Sequence, residues 1–120
     1  MPENPAPVAI VEAYHRAWTS GDVDRAMTYV ADSFVCSAPD PDVTTKEHWR
    51  GYLSAFMPML TGTPELTRMT EGKRVALWYY PQTAVTENTL ASELFTVEGG
   101  RITSIHLTFD RLGYRPPQAA

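Results

Sequence analysis

One cysteine, Cys36, stands among 120 residues, so neither an intramolecular disulfide nor a multi-cysteine zinc site can form. That usage fits a reducing, cytoplasmic compartment. Clustered positive charge is also missing. Lys46, Arg50, Lys73, Arg74, Arg101, Arg111 and Arg115 are scattered along a chain of formal net charge −4. Nucleic acid and anionic membrane, which need a concentrated basic field, are therefore not expected as partners. No run approaches the roughly 18 to 20 apolar residues of a membrane-spanning helix. Residues 1–7 have no basic start and no apolar run, and read as a flexible lead-in rather than a signal peptide.

What is abundant is apolar and aromatic. Hydrophobic residues make up 43 %, with three Trp, six Tyr and four Phe, enough to line a cavity as well as fill one core. The length allows a single domain, expected over residues 8–114, with a flexible tail at 115–120. Over residues 8–19, Ile10, Val11, Ala13, Tyr14, Ala17 and Trp18 recur at helical spacing. Ser20-Gly21 ends that helix, and Asp22 is placed to cap a second, shorter one running through Val30. A strand is expected over 33–37, stopped by Pro39 and Pro41. Thr44 and Glu47 have capping-box spacing ahead of a third helix carrying His48, Trp49, Tyr52, Leu53 and Phe56, which closes near Pro58. After Gly62 the helical period disappears. Runs at 65–70, 74–80, 85–97 and 101–110, broken by Glu71-Gly72, Pro81-Gln82 and Gly99-Gly100, predict a four-stranded antiparallel meander. Helices gathered on one side of such a sheet make an α+β domain with room for a pocket.

Three segments carry a family resemblance: Tyr14-His-Arg-Ala-Trp-Thr-Ser-Gly-Asp22, Tyr29-Val-Ala-Asp-Ser-Phe34 and Phe95-Thr-Val-Glu-Gly-Gly-Arg-Ile102. Their order and spacing resemble the SnoaL-like and ketosteroid-isomerase-like proteins of the nuclear transport factor two superfamily, across nearly the whole chain. The resemblance implies a cone-shaped fold, three N-terminal helices packed on a strongly curved, mostly antiparallel sheet enclosing a pocket, and a homodimer. It does not select a chemistry, because the superfamily hosts isomerases, hydrolases, cyclases and binding modules.

Against the isomerase pattern, Tyr14 resembles the tyrosine donor and Glu93 the protonated acid that together stabilise an oxyanion. The position of the base is Ala38, with Asp40 two residues on as a replacement. If the strand alternates, Ala91, Glu93, Phe95 and Val97 share an apolar face, where a carboxylate has a raised pKa or a specific partner. Leu90, Ser92 and Leu94 form the other face, and alternation does not say which row points inward. The Asp–Arg–Asp arrangement of limonene-type epoxide hydrolases falls on Tyr79, Pro81 and Leu107, none of which can replace it; nearby Asp110 reads as a solvated strand-end charge. An epoxide-opening cyclase would use two carboxylates, for which Asp40 or Asp42 with Glu65 are the candidates.

His15, His48 and His106 lie on different elements without chelating spacing, so neither metal nor cofactor is expected. His15 and His48 read as helix-surface residues, His106 as surface or dimer-face, and Cys36 as an inert buried thiol. Tyr14, Trp18, Trp49, Tyr52, Phe56, Trp78, Tyr80, Phe95 and Phe109 are the aromatics expected to converge on the helix–sheet space. The function expected is binding of a small hydrophobic, carbonyl-containing metabolite, with acid/base conversion of isomerase, cyclase or hydrolase type open to Tyr14, Glu93 and Asp40. The competing expectation is a non-catalytic ligand-binding or dimeric interaction module.

Overall fold

Pro7 opens the first helix, α1 (Pro7–Thr19), at a position where a missing N–H leaves no intrahelical bond unmade. The computed structural model describes residues 6–38, 42–84 and 90–109. Ile10, Val11, Tyr14, Ala17 and Trp18 form the buried stripe of α1, as their spacing predicts. Asp22 then caps α2 (Val23–Met27), its Oδ1 accepting the Arg25 N–H at 3.0 Å. This helix stops at Met27 instead of reaching Val30. The Tyr29 carbonyl accepts the Ile102 N–H at 2.8 Å and Val30 pairs with Ile102, so a distant strand claims this backbone before another helical turn can form. The strand β1 (Val30–Ser37) consequently begins earlier than the expected residue 33.

Thr45, not Thr44, caps α3 (Lys46–Phe56), its hydroxyl accepting the His48 N–H at 3.1 Å. A 3₁₀ turn over Met57–Met59 contains Pro58 and closes this helical stretch where expected. There follow β2 (Leu60–Gly62), β3 (Glu65–Glu71), β4 (Arg74–Tyr79), β5 (Gln82–Thr83), β6 (Ala91–Glu98) and β7 (Arg101–Phe109). The meander β3-β4-β6-β7 is antiparallel as predicted, and β1 adds to its far edge parallel to β7, giving the order β1-β7-β6-β4-β3. The short β2 and β5 pair separately. Gly99 and Gly100 turn β6 into β7 with φ of +59° and +80°, the left-handed pair that a two-residue primed turn requires. Register shifts between Val30 and Val35, Glu65 and Thr67, and Thr96 and Val97 bend their strands locally.

The sheet turns Val75, Leu77 and Tyr79 of β4, and Ala91, Glu93, Phe95 and Val97 of β6, toward the helices. The inward row of β6 is thus the one holding Glu93, while Leu90 is exposed. Lys46 ties the start of α3 to that of β1 by donating from Nζ to the Val30 carbonyl at 2.9 Å. This is the cone-type α+β architecture, with helices and sheet leaving a cavity between them. Among the described residues, no helix is long and apolar enough to cross a membrane.

Candidate functional site

The cavity of about 300 Å³ has one wall made by α3. Trp49, Tyr52 and Phe56 recur at three- and four-residue spacing, which stacks them on one helix face. The Trp49 and Tyr52 rings lie 5.1 Å apart and 8° from parallel, and Tyr52 and Phe56 are 6.4 Å apart at 30°. Trp18 of α1 extends this wall, 6.3 Å from Phe56. Met59, 55 % exposed, stands at the mouth. Tyr79, Pro81, Ala91, Glu93, Leu107 and Phe109 supply the sheet side, and Leu53 and Ala55 complete the lining.

Glu93 is the one carboxylate in this lining among the described residues, and it is only 2 % exposed. Its ladder neighbours are Leu77 and Leu107, so nothing beside it in the sheet compensates its charge. Tyr79 does so diagonally. Because Tyr79 pairs with Ala91, it sits one inward position from Glu93 across the β4–β6 ladder, and its hydroxyl donates to Glu93 Oε1. Burial pushes the Glu93 carboxyl up from its usual 4.5 to about 7, while the Tyr79 hydrogen bond acts in the opposite direction. The second oxygen, Oε2, is buried with no hydrogen-bond partner among the described residues, and the same holds for Trp18 Nε1.

Several sequence expectations meet in this cavity: Glu93, Trp18, Trp49, Tyr52, Phe56 and Phe109 all line it. Tyr14 does not. It is fully buried, its hydroxyl accepts the Trp49 Nε1–H at 2.9 Å, and its ring meets Phe95 edge-on at 5.8 Å. Burial and the nearby Glu93 charge raise its pKa well above the usual range. Phe95 is fully buried against it, deeper than the cavity lining. Trp78 is also outside the lining because it belongs to the opposite row of β4 from Tyr79. Tyr80 follows β4 with its N–H on the Pro64 carbonyl at 3.0 Å, and likewise does not line the cavity.

Tyr79, Pro81 and Leu107, the positions matched to the hydrolase residues, do line the cavity. Their side chains place no acid and no guanidinium there. Ala38, at the isomerase-base position, is outside the lining, and its N–H donates to Asp42 Oδ1 at 3.0 Å. Asp42 is exposed. Asp40 and Asp110, and the side chain of Glu65, lie outside the described residues, as do residues 85–89 of the predicted third strand and 110–120. His48 and His106 are exposed, but His15 is half-buried, its ring edge-on to Tyr79 at 4.7 Å and to Trp18 at 5.7 Å. Burial raises the Cys36 thiol to about 12, with the Glu93 and Asp42 charges adding to it, so it stays protonated. Among the described residues no three His, Cys, Asp or Glu side chains are gathered to hold a metal ion. The partner of Glu93 was the residue missed in the sequence. Tyr79 is legible as such only after the β4–β6 register is known.

A domain of this layering, with an apolar cavity between helices and sheet, belongs to the nuclear transport factor two-like class. The SnoaL-like domain family matches residues 11–105, and the chain belongs to that family. A crystal structure of a protein from Kribbella flavida is similar with 33 % identity and a TM-score of 0.85, covering 93 % of this chain and 92 % of that one. An NTF2-like protein of unknown function from Cytophaga hutchinsonii shares the fold at 20 % identity and a TM-score of 0.77, covering 92 % and 95 %. So does IdmH from Streptomyces antibioticus, described as a candidate polyketide cyclase, at 16 % identity and a TM-score of 0.75, covering 89 % and 94 %. Comparison with curated proteins finds no match.

Proposed function

We propose that this protein binds a small hydrophobic carbonyl compound in the aromatic-lined cavity and moves a proton on it with Glu93. The observation that carries this reading is a single carboxylate, buried on the cavity wall, whose pKa of about 7 makes both protonation states available near neutral pH. The ionised carboxylate removes a proton from the carbon beside the carbonyl, and the electron pair of that C–H bond delocalises onto the carbonyl oxygen as an enolate. In a β,γ-unsaturated ketone the enolate is conjugated with the C=C bond, and return of the same proton from Glu93 to the γ-carbon moves the double bond to the α,β position and restores the carboxylate. Tyr79 is the positioning residue, holding Oε1 while Oε2 keeps no partner among the described residues. The likeness to a candidate polyketide cyclase supports carbonyl chemistry as the place to begin.

The test is exchange of the α-protons of 2-tetralone in D₂O, followed by proton NMR with wild type and Glu93→Gln. Wild type accelerates exchange and Glu93→Gln does not, with the rate rising through an apparent pKa near 7. Equal rates for both proteins, with the ketone bound, leave the competing reading of a non-catalytic binding module. One observation favours that second reading: no other carboxylate among the described residues lines the cavity, and Ala38 stands at the position of the isomerase base.

A further inference from the structure

Two tryptophans of the same cavity wall differ in what their indole nitrogens do. The Nε1–H of Trp49 is spent on the Tyr14 hydroxyl at 2.9 Å. Trp18 is 2 % exposed, lines the cavity, and its Nε1 has no acceptor among the described residues. Buried donors are rarely left in that state in folded proteins. An indole nitrogen only donates, so its missing partner must be an acceptor. The lining contains no Lys, Arg or His among the described residues. A carboxylate or phosphate would enter an apolar space with no cation in that lining to offset its charge. The acceptor is therefore neutral.

Size and lining narrow the ligand further. The volume, about 300 Å³, is at the small end of ligand cavities. Trp18, Tyr52, Phe56 and Phe109 make much of the lining aromatic, which favours a ligand that carries an aromatic ring. Trp18 belongs to α1 and Glu93 to β6, so the two buried polar atoms without a partner among the described residues lie on different walls of the cavity.

We infer that the indole N–H of Trp18 is the donor that holds the ligand's carbonyl oxygen, and that the cavity takes neutral aromatic ketones of one or two rings. This rests on the proposed reading that the cavity binds a hydrophobic carbonyl compound. It assigns specificity to a residue on α1 in place of Tyr14, whose hydroxyl is engaged in the core.

The experiment compares 2-acetylnaphthalene with its hydrocarbon isostere 2-isopropylnaphthalene by calorimetric titration of wild type, Trp18→Phe and Tyr52→Phe. Wild type is expected to bind the ketone about tenfold more tightly than the hydrocarbon, and this ratio, read within each protein, to fall to near unity in Trp18→Phe. If the hydrocarbon binds but wild type shows no ketone preference, or the preference persists in Trp18→Phe, the assignment to Trp18 is overturned and the cavity reading stands. Loss of preference in Tyr52→Phe alone would move the donor to Tyr52. If neither probe binds wild type, the cavity reading falls and the inference with it. A measurement needing no folded Trp18 variant uses the indole N–H resonance of Trp18 in ¹⁵N-labelled wild type, assigned by elimination with Trp49→Phe and Trp78→Phe. That resonance moves downfield with the ketone and not with the hydrocarbon; an unmoved signal at saturation overturns the inference.

Discussion

The two ends of the helix–sheet space are built from the same residue types and behave differently. At the packed end, Tyr14 meets Phe95 and Phe34 meets Trp49, and the Trp49 indole N–H, though its ring also lines the cavity, donates to the Tyr14 hydroxyl at 2.9 Å. At the open end, Trp18, Tyr52, Phe56 and Phe109 surround a cavity in which Trp18 Nε1 and Glu93 Oε2 have no partner among the described residues. Aromatic content does not separate a core from a pocket. Polar satisfaction does, because a buried donor or acceptor without a partner is costly and marks where a ligand's own polar group is needed.

Substitutions at the packed end should act on stability. Phe95→Ala removes a fully buried ring from contact with Tyr14 and should cost about 3–5 kcal/mol in urea unfolding. A loss below about 1 kcal/mol would mean that this end is not packed as described.

The open end should appear in the pH dependence of stability. Glu93 holds its proton more tightly folded than unfolded, with a pKa of about 7 against 4.5. Its contribution is therefore most favourable below pH 4.5, declines between 4.5 and about 7, and levels off above, a change of about 3 kcal/mol. Urea midpoints measured from about pH 4 to about pH 8 should fall in wild type and lose most of that slope in Glu93→Gln. Parallel curves for the two proteins would remove Glu93 as the titrating group.

Tyr14→Phe leaves the Trp49 indole without its acceptor and should cost about 1–3 kcal/mol, with ketone affinity changed by less than about twofold. A large loss of affinity at unchanged stability would return Tyr14 to the ligand site. The smallest effect is expected for Trp78→Phe, on the outward row of β4: stability within about 0.5 kcal/mol and no change in ketone binding.

Local signals were read from neighbouring residues alone. The stripe of α1, the Asp22 cap, the Gly99-Gly100 turn and the shared face of Ala91, Glu93, Phe95 and Val97 all appear in the structure as their spacing predicts. The end of α2 was not legible, because the Tyr29 carbonyl is claimed by Ile102 from the other end of the chain. In β4 the expected pocket residues were Trp78 and Tyr80, and the structure places Tyr79 there instead, since consecutive aromatics leave a period of two without a preferred phase.

Residue order and spacing alone carry the α+β class, the order of helices before strands, the aromatic stripe of α3 and the presence of one carboxylate on an apolar row. Packing between elements sets that the Glu93 row faces inward, that Tyr79 is its partner, that the Tyr14 hydroxyl accepts from Trp49, and that Trp18 Nε1 has no acceptor among the described residues. Each of these depends on a register or a contact between elements distant in sequence. A hydrogen bond is won or lost over fractions of an ångström, a distance that local periodicity does not fix.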